Sequence, residues 1–121
     1  MDEMIYQFIF DEISEITKIN WERMVIYLEY GTASYSFVYY VKSNGEYIQC
    51  FDVEGLSEDI ILQKFRNIDS RVSQERKSCD KWSTMTMTIS DTGDFKVDFD
   101  YSDLSQGTYL YKKEWKKKYL I

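Results

Sequence analysis

Four aspartates near the carboxyl end, Asp94, Asp98, Asp100 and Asp103, are the residues of this 121-residue chain best placed to do chemistry. Carboxylates can hold a hard cation, share acid and base roles, or meet a cationic partner. In an extended run, Asp98 and Asp100 lie roughly 6.5–7 Å apart at the backbone, compatible with a shared ion. A calcium site, however, draws about six to eight oxygens, usually from a loop with Gly at a sharp turn, and the sequence has no such periodic loop. A small-ligand or metal-binding regulatory domain using these four carboxylates is therefore the alternative reading. Paired carboxylates for glycoside hydrolysis would need a cleft that nothing in the sequence defines.

Histidine is absent. Its absence removes the commonest general base, the usual partner of a Ser or Cys nucleophile, and the commonest nitrogen ligand for zinc. The expectation is a protein that is not an enzyme and carries no cofactor. Cys50 and Cys79 fit no metal spacing and read as reduced, buried thiols. The opening residues, with Asp2 and Glu3, do not resemble a signal peptide, and no apolar run nears the length of a membrane span. These features predict a cytoplasmic protein, one domain over residues 1–121.

Around the acids, Phe95, Val97, Phe99 and Tyr101 alternate with Lys96, Asp98 and Asp100. In a strand such alternation sends the two sets to opposite faces, predicting an apolar row turned inward and a charged row displayed. Asp is depleted in strands and gains nothing there unless solvated or met by a partner. Asp98, Asp100 and Asp103 are the candidate acidic contacts to a partner, with Tyr101 a candidate anchor. Because Tyr101 shares its face with Phe99, the core is its expected place.

The elements that must position these residues follow from periodicity. Residues 2–17 space Ile5, Phe8, Ile9, Ile13 and Ile16 as one face of a helix. Strands are predicted at 22–30, 35–42 and 46–51, the last two joined by the hairpin signal Asn44-Gly45. Ser57 is a helix N-cap ahead of Ile61, Phe65, Ile68 and Val72, in a helix running to about Arg76. Its Lys64, Arg66, Arg71, Arg76 and Lys77 read as a solvated face. Trp82 opens a strand whose Met85, Met87 and Ile89 alternate with Thr84, Thr86 and Thr88. The turn 91–94 then leads into the acidic strand, so the Thr row and the Lys96, Asp98, Asp100 row share one face of a hairpin. Tyr111, Trp115 and Tyr119, among lysines, mark a short helix or turn from about Tyr109 to Tyr119. Trp21, Trp82, Met24, Met85 and Met87 read as core. The fold class is α+β: an antiparallel sheet in α-β-β-β-α-β-β-α order, with helices packed on one face.

Net charge is −6, distributed unevenly: residues 112–118 carry five Lys against one Glu, whereas residues 91–103 hold five Asp against one Lys. An acidic chain is a poor general binder of nucleic acid, but it can steer a basic protein. The lysines around Trp115 and Tyr119 suit a docked aromatic edge with amines reaching water better than a membrane site. An alternating Thr/Asp ribbon can also be an open edge that pairs with another chain, so a homodimer is possible.

Asp98-Phe99-Asp100-Tyr101-Ser102-Asp103-Leu104, followed by Trp115-Lys116-Lys117-Lys118-Tyr119-Leu120, resembles the C-terminal signature of the YezG-like family. That signature has the form D-[YF]-D-Y-x-D-L, then W-K-Y-K-Y-L-G. Lys117 departs from its Tyr and Ile121 from its Gly, and the intervening stretch is short and lacks the usual proline. The resemblance implies an antitoxin, or immunity protein, that binds and inhibits the nuclease domain of a large secreted bacterial toxin. Many such toxins leave Gram-positive cells through type VII secretion while the immunity protein stays in the producer's cytoplasm. The implied partner is a cognate, basic nuclease domain.

Overall fold

The computed structural model describes residues 3–78 and 81–121, so the expectation of a buried thiol at Cys79 lies outside the described residues. The elements come in the expected order: α1 (Glu3–Ile16), β1 (Arg23–Tyr30), β2 (Tyr35–Ser43), β3 (Glu46–Gln49), α2 (Glu58–Ser78), β4 (Thr84–Ser90), β5 (Phe95–Asp100) and α3 (Tyr109–Tyr119). β3 stops before the predicted Phe51, because Cys50–Asp52 winds into a 3-10 turn that seats the thiol of Cys50 fully inside. By backbone proximity the chain groups into two units, residues 1–20 with 50–81 and residues 21–49 with 82–121.

The first unit is helical. α1 buries Ile5, Ile9 and Ile13, one residue per turn along a single stripe, and α2 buries Ile61, Phe65, Ile68 and Val72 at the predicted spacing. The Ser57 carbonyl accepts the Ile61 amide, which places Ser57 at the N-cap position. The basic side of α2 is less solvated than predicted. Lys64 Nζ bridges Glu12 at 3.1 Å and Glu15 at 3.0 Å, Asn67 donates to Glu12 at 2.8 Å, and the Arg71 guanidinium lies 4.8 Å from the centre of the Phe8 ring. A basic helix face became a seam because α1 brings acids and an aromatic to it.

The second unit is a five-stranded antiparallel sheet in the order β3-β2-β1-β4-β5 with α3 on one face. Asn44 and Gly45 both take positive φ, 53° and 81°, as the tight β2–β3 turn requires. β1 is central, and its residues from Met24 to Leu28 are all buried. Met24, Met85, Met87 and Trp82 are core as expected, whereas Trp21 is half-buried. Under α3 lie Val25, Tyr27 and Tyr40, closed by Trp115. The Trp115 ring meets Tyr27 edge-on at 4.9 Å, and its indole N–H donates to Thr86 Oγ1 at 2.9 Å. Large aromatic rings supply the area, and the threonine satisfies the one polar atom that burial would otherwise orphan. At the other end of the helix, Arg23 donates to the Tyr119 carbonyl at 2.8 Å, while Lys42 and Tyr47 reach the Ile121 carbonyl oxygen. Cationic and hydroxyl donors thus meet carbonyls that a helix end leaves without partners.

Candidate partner-binding site

The hairpin register pairs Thr84 with Asp100, Thr86 with Asp98 and Thr88 with Lys96, so the Thr row and the acidic row do share a face. That face is the one α3 covers. The expected orientation of β5 is therefore inverted: its charged row is the sheltered one, and its aromatic row is open. Asp98 and Asp100 are half-buried, whereas Phe95 is 52% and Phe99 36% exposed. Tyr101, expected in the core, is 59% exposed, because β5 ends at Asp100 and the chain leaves the sheet there.

What shelters the acids is a row of hydroxyls. Tyr119 donates to Asp98 Oδ2 at 2.9 Å and Tyr111 to Asp100 Oδ2 at 3.1 Å. A phenol has one proton, so Tyr111 accepts the 2.7 Å bond from Thr84, which gives a relay of Thr84 to Tyr111 to Asp100. Ser102 bonds Asp100 Oδ1 twice, through its hydroxyl at 2.6 Å and its amide at 2.8 Å. The Ser102 hydroxyl foremost, with the Ser102 amide and Tyr111, holds the Asp100 carboxyl below the usual range against the opposing effect of burial. Conversely, burial first and then the Asp98 carboxylate push the Tyr119 hydroxyl up to about 12. Tyr111 is likewise raised to about 12 by burial, with Asp100 adding to it. Tyr27, buried and donating to Glu29 at 2.5 Å, is raised further still.

Lys96 pairs with Asp98 Oδ1 at 3.7 Å and lies largely in water. Neutral donors hold both carboxylates in place while leaving their charge intact. Together with Thr84, Thr86, Trp115, Glu114 and Lys118 they line a cleft of about 280 Å³ between α3 and β5. Asp103 stands outside the cleft, exposed, with the Ser105 amide on its Oδ1 at 2.9 Å; that bond holds its carboxyl below the ordinary range. Asp94 sits in the β4–β5 turn, where Thr92 donates to it. Among the described residues no three His, Cys, Asp or Glu come together to hold a metal ion, so the four aspartates do not converge as the metal reading required.

Sequence reasoning gathered Tyr111, Trp115 and Tyr119 into one short C-terminal element but missed that they are the donors to the Thr/Asp ribbon. The signal was present. Aromatics one turn apart on a helix match hydrogen-bonding residues two apart on neighbouring strands.

A family model described as "Immunity protein YezG-like" matches residues 2–121, nearly the whole length. The chain belongs to this family. Two relatives carry the name immunity protein YezG. That of Bacillus subtilis (strain 168) is 24% identical over 110 residues, covering 83% of this chain and 73% of its own. That of Bacillus spizizenii (strain ATCC 23059 / NRRL B-14472 / W23) is 21% identical over 110 residues, covering 83% and 68%. Among the described residues no helix is long and apolar enough to cross a membrane.

Proposed function

We propose that the chain is a cytoplasmic immunity protein that silences a cognate secreted nuclease toxin by stoichiometric binding. The toxin's substrate is polyanionic, so its nuclease domain must present basic surface, and an acidic protein can compete for that surface. The observation that carries the reading is the acidic district around β5, whose carboxylates are fixed chiefly by tyrosine and serine hydroxyls, with the exposed Lys96 pairing only Asp98. Asp98, Asp100 and Asp103 are its anionic contacts and Tyr101 its aromatic anchor. Charge on the rim speeds encounter, while a desolvated tyrosine slows departure. Export of the toxin by type VII secretion, as part of a polymorphic toxin system, fits a guard that stays inside the producer.

The test uses a nuclease domain encoded beside this chain and follows cleavage of plasmid DNA. Cleavage should vanish at an equimolar ratio. Tyr101→Ala should weaken the complex about tenfold through faster dissociation. Asp103→Lys should slow association and flatten its dependence on ionic strength. Both residues are exposed, so thermal melting should leave the fold unchanged. Full nuclease activity in the presence of excess chain would sink the proposal.

A further inference from the structure

The cleft between α3 and β5 is small and mixed in character. Its volume of about 280 Å³ falls below the range of roughly 300–1,000 Å³ usual for small-molecule sites, so it suits a side-chain head group better than a whole metabolite. Trp115 and Tyr119 wall it from α3, their ring centres 5.4 Å apart, and Asp98 and Asp100 wall it from β5. The two carboxylates are not equally spent. A carboxylate offers about four lone-pair sites. Asp100 gives three of them, two to Ser102 and one to Tyr111. Asp98 gives one, to Tyr119 on Oδ2, while its Oδ1 accepts no hydrogen bond from the described residues and lies 3.7 Å from the exposed Lys96 ammonium. Acceptor capacity therefore remains in the cleft, most of it on Asp98. The exposed Lys118 meanwhile sets its Nζ 5.2 Å from the centre of the Tyr119 ring. The chain's own cation already rests on that aromatic wall, where water keeps the contact weak.

We infer that this cleft takes the guanidinium of an arginine supplied by the partner, which pairs with Asp98, reaches the remaining site on Asp100 and lies against the Tyr119 ring. The source of that arginine rests on the toxin reading; the chemistry of the cleft does not. A guanidinium is a flat fork of N–H donors, able to serve two carboxylates that stand roughly 6.5–7 Å apart at the backbone on one strand face. It also stacks on aromatic rings and is weakly hydrated, so seating it beside Tyr119 costs less than seating an ammonium. A lysine would bring a compact, strongly hydrated charge that uses neither the ring nor both acids. A calcium ion would draw about six to eight oxygens, more than these two carboxylates have left to give. Lys118 gives up the ring to the incoming charge and turns into water, where its flexible stem already carries it.

The free chain tests the cleft without any toxin. Heteronuclear NMR follows the Trp115 indole proton, which rests on Thr86 inside the cleft, during titration with N-acetyl-arginine amide or N-acetyl-lysine amide at fixed ionic strength. The arginine probe should shift this signal along a saturating curve in the millimolar range, and the lysine probe should bind more weakly. Asp98→Asn keeps the shape and an acceptor for Tyr119 but removes the charge, so it should weaken the arginine probe about tenfold. Thermal melting checks that the variant folds; if it does not, the contrast between the two probes on the wild type decides. An indole signal that ignores arginine, that answers both probes equally, or that is unmoved by Asp98→Asn in a folded protein overturns the inference. The nuclease complex then tests the source. Among the nuclease's exposed arginines, changed singly to lysine, one should weaken the complex as Asp98→Asn does, with the pair of changes costing no more than either alone. Losses that add at every arginine overturn the assignment of a partner arginine to this cleft. A chain that takes the arginine probe yet leaves the nuclease active sinks the toxin reading instead, and one that silences the nuclease while its indole ignores arginine sinks only the cleft.

Discussion

Acidic residues are handled in opposite ways in the two units of this chain. In the helical unit, Glu12 and Glu15 meet the ammonium of Lys64, which offsets one of their two charges at close range. In the sheet unit, Asp98 and Asp100 meet phenolic and seryl hydroxyls, which satisfy lone pairs without cancelling anything. Both arrangements anchor a helix against a neighbouring element. The second leaves more of its charge uncancelled, with the exposed Lys96 pairing only Asp98. Carboxylates used as structural pins thus remain able to attract a cation, and one residue can serve stability and recognition together.

The comparison breaks most completely at Trp115. Trp115→Ala removes the ring that closes α3 over Tyr27 and Tyr40 and strands the Thr86 hydroxyl; we expect a loss of about 3–5 kcal/mol in chemical denaturation. A loss under about 1 kcal/mol would mean that α3 is not pinned to the sheet as described.

The next largest effect separates the two kinds of pin. Tyr119→Phe deletes one hydroxyl and leaves Asp98 short of a donor, costing about 1–2 kcal/mol at either low or high salt. Lys64→Met should cost under about 1 kcal/mol, and that cost should shrink as salt is added, because one of its partners, Glu15, is largely in water. Equal salt dependence for the two variants would erase the distinction.

The smallest effect is read with pH. Tyr111 and Tyr119 carry folded-state values near 12 against 10.0 for the free side chain. A raised value means the folded state favours the protonated phenol, so the stability they contribute is complete below pH 10. It drains away as pH climbs from 10 to about 12. Phenolate absorbance should show these groups titrating late, and Tyr119→Phe should lessen the alkaline loss of stability. Asp100 has the opposite sign: its depressed carboxyl contributes above the ordinary carboxylate range, and that contribution is lost as acid protonates it.

Much of the architecture was legible because local patterns and the final packing agree. Ile61, Phe65, Ile68 and Val72 mark a helix wherever they occur, and Asn44-Gly45 admits few turns besides the one observed. The pairing of Thr84, Thr86 and Thr88 with the acidic row follows from the length of the turn between them. The direction in which β5 faces was not legible. Alternation says that two rows differ and suggests that the apolar one goes inside. That inference fails where a strand is terminal and a helix bearing tyrosines seeks acceptors. The donors lie 11 to 21 residues further along the chain from their aspartates, and only the packing of α3 joins them. Tyr101 misled for a related reason, since a face is defined only while the strand lasts.

α3 is gripped unevenly. Its final turn is held through Arg23, Lys42 and Tyr47, while its first turn begins at a Thr108 that makes no side-chain cap and carries Tyr109 and Leu110 at 77% and 72% exposure. Ahead of Tyr111, whose hydroxyl ties the helix to Thr84 and Asp100, the leading residues should fray first. Amide protons of the opening turn would then exchange with solvent well before those beside Trp115.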